Sequence, residues 1–292
     1  MIGWTTAVPA GQRRWRLLVL PVFMGILAGL PSPALAGSPR PETGLVLVGG
    51  GSRPAVAMAR FVAWAGGEPA RILVVTWASG EPAEAFAGLR EEIEAQGARH
   101  VAQAPMPPFE PASREAVLRS IREATGIFLS GGDQSRIMEV CRDAQILELL
   151  RERYRAGVVF GGTSAGTAAV STPMITGEGD FTVIDGAKVE VREGLGLLPG
   201  VILDQHFVKR QRENRLFGLI LSHPRLLGMG VDEDTALLVR DGRLCEVVGA
   251  GPVVVVEAVG PSSLGLDLLR AGEGFDLAKR RRFRVQAPEP GR

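Results

Sequence analysis

The chain of 292 residues, 46% of them apolar, is long enough to bury one ordinary core. With 33 Lys plus Arg against 32 Asp plus Glu the net charge is +1, which leaves no electrostatic footprint for nucleic acid or a membrane surface as partner. Its 2 cysteines, Cys141 and Cys245, are too few for a disulfide framework and lack the spaced Cys or His partners of a zinc site, so they read as core residues whose bonding stays open.

The first 36 residues differ from the rest. Arg13, Arg14 and Arg16 precede an apolar run from Leu17 to Leu30, and Ala34-Leu35-Ala36 offers small residues for a signal peptidase. That run, about 14 residues with Pro21 inside it, is shorter than the roughly 20 needed to span a bilayer. The expectation is a signal peptide over residues 1–36, cleaved to leave an exported, periplasmic or extracellular chain with no further tie to the membrane. The paired Arg13-Arg14 hints at the twin-arginine route.

From residue 44 onward short apolar β-type runs alternate with helical periods, the pattern of an α/β sheet covered by helices. Leu45–Val48 reads as a strand, Pro54 opens a helix to about Trp64, Arg71–Thr76 reads as a second strand, and Pro82–Gln96 is amphipathic with Gly97 as its stop. Ile127–Leu129 and Val158–Phe160 are further apolar runs, each ending in a glycine turn. Such strand-to-helix turns are where open α/β sheets place ligands. Later, Leu237–Val239, a turn at Asp241-Gly242 and Leu244–Val248 form a hairpin expected at an antiparallel edge, with Val253–Val256 as one more strand. A single domain over 37–280 is expected, followed by a basic, flexible tail over 281–292.

Chemistry concentrates at the turns. Gly162-Thr163-Ser164-Ala165-Gly166 fits G-x-S-x-G, in which glycines permit the sharp turn that lifts a nucleophilic serine above a sheet edge. The N–H of Ala165 would face an oxyanion, and the second donor would come from Gly131 or Gly132 in the other turn. A serine needs a base, and after residue 36 the chain offers His100, His206 and His223. His100 sits in a helix-to-strand connection and His223 at a helix end before Pro224, whereas His206 follows the apolar run Val201–Leu203, so His206 is the candidate. Acids come after it, in Asp232-Glu233-Asp234, and residue type alone does not choose among them. Without a base the two glycine turns would instead suit a non-catalytic protein holding an anion at helix N-termini.

Taken together, Val48-Gly49-Gly50-Gly51, Ser130-Gly131-Gly132-Asp133-Gln134, the serine motif, Asp204-Gln205-His206-Phe207 and Gly230-Val231-Asp232-Glu233 resemble the cyanophycinases, within the S51 serine peptidase family that also contains aspartyl dipeptidases. Thr167 stands where that family's usual alanine is expected. The resemblance implies a three-layer α/β/α sandwich with a mostly parallel sheet, similar to class I glutamine amidotransferases and flavodoxin-like. It also implies a Ser-His-Glu triad of Ser164, His206 and Glu233, a homodimer, and no metal or organic cofactor. The implied substrate is cyanophycin, a poly-aspartate carrying arginine on its β-carboxyls, cut to β-Asp-Arg dipeptides, or else shorter aspartyl peptides. The positions matching the family's substrate-holding residues are Gln134, Asp204, Gln205, Arg210, Arg212 and Arg215, with the arginines suited to free carboxylates and the acids and amides to substrate arginines.

Overall fold

The computed structural model describes residues 42–285, so the signal-peptide reading lies outside the described residues. Its centre is a nine-stranded sheet. Five strands are parallel, β1 (Gly44–Val48), β2 (Arg71–Val75), β3 (His100–Gln103), β4 (Gly126–Leu129) and β5 (Val159–Thr163), in the order β1-β5-β4-β2-β3. Between them lie α1 (Ala55–Ala65), α2 (Pro82–Glu94), α3 (Pro111–Glu123), α4 (Gln134–Val140) and α5 (Ala144–Arg155), and the short α6 (Ala165–Ala168) follows β5.

Strand β1 shows why its run of apolar residues is unbroken. Val46 and Val48 are buried in the core on one face of the sheet, together with Phe61 of α1, and Leu45 and Leu47 in the core on the other face, together with Ala165 and Ala168 of α6. A strand buried on both sides has no reason to alternate with polar residues. The helices begin and end on local signals: Pro54 precedes α1 and Gly66 closes it at φ 119°, Pro82 opens α2, and the Asp143 carboxylate caps α5 by accepting the N–H groups of Gln145 and Ile146.

The second half of the chain builds three further pieces. A small antiparallel pair joins β6 (Met174–Gly179) to β7 (Val189–Arg192). Then come β8 (Val201–Gln205), α7 (Glu213–Ser222), β9 (Leu227–Val231), β10 (Thr235–Arg240), β11 (Leu244–Gly249), β12 (Val253–Gly260), β13 (Ser263–Leu269), β14 (Glu273–Asp276) and β15 (Arg281–Arg284). Strands β13-β12-β9-β8 form a separate four-stranded sheet. One of its faces, with Leu203, Met229 and Val255, merges with the core of the large sheet, and the other, with Ile202 and Val256, packs on Leu216 and Ile220 of α7.

Two expectations are corrected. The hairpin β10–β11 is not an edge, because β10 lies against β1 and the large sheet continues through β14 and β15. Thr235–Val239 are buried throughout, as an interior strand requires. Of the tail expected to be flexible over 281–292, residues 281–284 form β15, where Phe283 covers Gly274 of β14, whose missing side chain leaves room for the ring, and Arg282 pairs with Glu273, while 286–292 lie outside the described residues. Arg281, Arg282 and Arg284 on a solvent edge read as a basic run in sequence and as a charged, protected edge strand in the fold. Both cysteines are free and buried, and burial raises the Cys141 thiol to about 12. Among the described residues no helix is long and apolar enough to cross a membrane.

Candidate active site

Strand β5 ends in a turn that forces its next residue into view. Ser164 sits at φ 52° and ψ −112°, a conformation that costs a non-glycine residue free energy, and its N–H donates to the Val48 carbonyl of β1 at 3.0 Å. The glycines on either side of it are compelled by contact. A Cβ at Gly162 would lie 2.6 Å from the carbonyl carbon of Gly166, and one at Gly166 would lie 2.3 Å from the Leu129 carbonyl oxygen of β4. Thr167, the departure from the family's alanine, has its buried hydroxyl 2.7 Å from the Val48 oxygen and 3.0 Å from that of Gly162, so it braces the same turn.

The imidazole beside this serine arrives from the other sheet. His206 follows β8, also at positive φ (50°), and its N–H donates to the Gly49 carbonyl at 2.7 Å. Its Nε2 lies 2.8 Å from the Ser164 hydroxyl, which also sits 3.3 Å from Gln205 Oε1. The imidazole Nδ1 is 2.6 Å from Glu233 Oε1. A neutral ring that donates from Nδ1 to this carboxylate leaves Nε2 free to accept the serine proton. The chain after β1 is glycine for this ring: a Cβ at Gly50 would fall 2.1 Å from His206 Cε1.

The three adjacent acids separate by what each one meets. Asp232 accepts the N–H of Lys209 at 2.9 Å, Asp234 accepts that of Ser52 at 2.6 Å, and Glu233 alone of the three reaches the imidazole. His206 is held below the ordinary histidine range, chiefly because burial penalises the imidazolium; Glu233 opposes this, and the nearby Arg210 and Arg212 cations add to it.

Around the serine, Ala165 opens α6, where the first N–H groups have no helical acceptor. A Cβ at Gly131 would stand 3.5 Å from Ser164 Cβ, so this turn adjoins the serine. Gly132, at φ 132°, is needed because Ala78 passes behind it, with a Cβ falling 2.0 Å from the Ala78 oxygen. Gln134 is buried and donates to the Ile175 carbonyl at 2.7 Å.

The residues matched as substrate-holding divide sharply. Asp204 and Arg215 face each other, with Arg215 Nε on Asp204 Oδ2 at 2.7 Å, a second hydrogen bond from Nη2 to Oδ1, and the guanidinium 4.9 Å from the Phe181 ring centroid. Their side chains are 0% and 2% exposed, so the expectation that both contact substrate is corrected: a bidentate buried pair has no face left for a ligand. Arg212 is in between, donating to the Gln205 carbonyl at 2.8 Å, with its pKa lowered to about 10 by burial and then by Arg215. Arg210 is exposed, with Nε 3.9 Å from Glu233 Oε1. His100 opens β3 in solvent and His223 ends α7 against the Leu219 carbonyl. Sequence reasoning missed the seating of the His206 ring on Gly50, although three glycines after an apolar strand were the available signal.

Residues 45–247 match the model for peptidase family S51. The chain is 40% identical over 166 residues to the cyanophycinase of Trichormus variabilis, covering 56% of this chain and 55% of that protein. It is 26% identical over 168 residues to peptidase E of Salmonella arizonae, covering 55% of this chain and 69% of that one. The chain thus spans about half the length of the cyanophycinases it matches. Among solved structures, a peptidase from an acI-B1 Actinobacterium superposes with a TM-score of 0.62 at 22% identity, over 82% of this chain and 98% of the other. A putative peptidase E protein from Listeria monocytogenes EGD-e superposes with a TM-score of 0.52 at 14% identity, over 72% of this chain and 99% of the other. Both likenesses are of fold.

Proposed function

We propose that this chain, which belongs to peptidase family S51, is a serine peptidase that hydrolyses cyanophycin to β-Asp-Arg dipeptides through an acyl-enzyme on Ser164. The observation that carries the reading is the continuous relay from Ser164 Oγ to His206 Nε2 and from His206 Nδ1 to Glu233, at 2.8 and 2.6 Å. His206 accepts the serine proton as Oγ attacks a backbone carbonyl of the poly-aspartate, and Glu233 holds the ring in the required tautomer and stabilises the imidazolium. The N–H groups of Ala165 and of Gly131 or Gly132 receive the oxyanion. Collapse breaks the C–N bond, the imidazolium proton passes to the leaving amine, and water then frees the acyl group by the same route reversed.

The substrate class rests on the cyanophycinase relatives and on exposed Arg210 with half-buried Arg212 beside the triad, two guanidinium groups suited to the aspartate carboxylates of the polymer. The helices on both faces of the large sheet support a three-layer arrangement like that of class I glutamine amidotransferases. Export through the 1–36 signal peptide and assembly as a homodimer belong to the same proposal. In it the enzyme works outside the cytoplasm on polymer released by other cells.

The test incubates protein beginning at Gly37 with insoluble cyanophycin beside a Ser164→Ala control, following turbidity and identifying soluble products by mass spectrometry. Clearing with release of β-Asp-Arg is expected from the first protein, and a drop of at least about 10,000-fold in rate from the variant. Intact labelling of Ser164 by a fluorophosphonate without clearing would keep the serine hydrolase and discard the polymer in favour of short aspartyl peptides. No labelling would leave an anion-binding protein.

A further inference from the structure

A cavity of about 390 Å³ adjoins the serine turn, and apart from Gly131 its lining residues have no role in the mechanism above. Its wall includes Ser130, Gly131 and Thr163 together with Arg53, Glu81 and Glu84. Gly131 and Thr163 belong to both the cavity and the surroundings of the nucleophile: Thr163 precedes Ser164 in the chain, and Gly131 stands against its Cβ. A group seated in the cavity is therefore attached to substrate close to the bond being cut.

The charge of the lining specifies that group. Arg53, its one cation, is already held by both oxygens of Glu92 through Nε and Nη2, so its charge is matched outside the cavity. Glu81 and Glu84 have no ion-pair partner among the described residues. Glu81 is fixed at the start of α2, where its N–H donates to Ser79 Oγ at 3.0 Å, and Glu84 lies in the first turn of the same helix. The unmatched charge facing the cavity is thus negative, supplied by two carboxylates on one rigid helix end. We infer that this cavity is the subsite for a cationic substrate side chain, an arginine guanidinium, with Glu81 and Glu84 as its carboxylate partners and determinants of specificity. The assignment rests on the proposed peptidase reading and supplies what that reading lacked, since Asp204, the acid matched to this task in sequence, is fully engaged by Arg215.

The experiment measures binding, so that it does not depend on turnover. Calorimetry on the Ser164→Ala protein compares β-Asp-Arg with β-Asp-citrulline, which has nearly the same shape but a neutral ureido group, and repeats the pair on Ser164→Ala carrying Glu81→Gln and Glu84→Gln. The arginine dipeptide is expected to bind about 10 to 100-fold more tightly than the citrulline one, as charge-assisted hydrogen bonds to a carboxylate would give, and the glutamine changes should reduce the preference to about twofold. Equal affinities in the first protein, no binding of either dipeptide, or a preference that survives both glutamines overturns the subsite. A preference that disappears with the glutamines, found together with a wild-type protein that does not clear cyanophycin, upholds the subsite and discards the polymer alone.

Discussion

The two sides of the candidate site are held in place by different means. Ser164 is positioned by its own neighbours in the chain, since Gly162, Gly166 and Thr167 lie within three residues of it and touch one another or the adjacent strands β1 and β4. His206 and Glu233 come from the ends of β8 and β9 in the smaller sheet, 27 residues apart, and depend on the packing of that sheet against β1. A strained turn can enforce a nucleophile locally, whereas the base and acid are only as well placed as the sheet that carries them.

The largest effect that would sharpen this contrast is expected from Glu233→Gln, which preserves shape but removes the charge that holds the imidazole. Turnover should fall by roughly 10,000-fold with little change in Tm, and comparable losses from Asp232→Asn or Asp234→Asn in the same assay would refute the choice of acid. Next comes Gly50→Ala. The new Cβ would overlap the His206 ring, at a backbone φ of 117° that alanine adopts only under strain. Displacing the base by about 1 Å should cost about 100-fold in kcat/KM. Fluorophosphonate labelling of Ser164 should slow in parallel, and normal labelling would break the picture of a ring seated on that glycine.

Arg215→Met tests the support beneath the base side, because it strands Asp204 in the core. A loss of about 3–5 kcal/mol is expected in chemical denaturation, and Arg215→Met combined with Asp204→Asn should recover a good part of it. Unchanged stability together with a raised KM in the single variant would return Arg215 to the substrate-contacting group. The smallest effect concerns pH. Burial together with Arg210 and Arg212 holds His206 below the ordinary histidine range, so the acid limb of kcat/KM should lie lower than for a free imidazole. Removing a neighbouring cation lets the ring keep its proton more firmly, so Arg210→Ala should move that limb to higher pH. A shift to lower pH would contradict the arrangement.

Legibility in the sequence followed the range of the interactions. The serine motif, the strands before both glycine turns and the hairpin were readable because each is set by residues that are neighbours in the chain. That His206, and neither His100 nor His223, stands beside Ser164 was also readable, as it alone follows the apolar run Val201–Leu203. The same reading erred where burial decided. The hairpin of Leu237–Val239 and Leu244–Val248 reads as an edge because nothing local says that β1 lies beside it, and Asp204 and Arg215 read as substrate contacts because a polar residue looks alike whether it meets a ligand or another side chain. The three-glycine run after β1 carried a signal whose purpose, room for an imidazole, belongs to a residue more than 150 positions away.

By itself the sequence determined the α/β alternation and the glycine turn that carries Ser164, which follow from periodicity and from steric requirements that operate over a few residues, while its motifs resembled the family whose model residues 45–247 match. Only the tertiary structure decided that Glu233, and neither Asp232 nor Asp234, meets the His206 ring, that Arg215 is buried on Asp204 while Arg210 stays in solvent, and that Glu81 and Glu84 share a cavity with the turn beside Ser164. Those outcomes depend on which distant backbones pack together, and therefore on which charges lose their water and must find partners inside the protein.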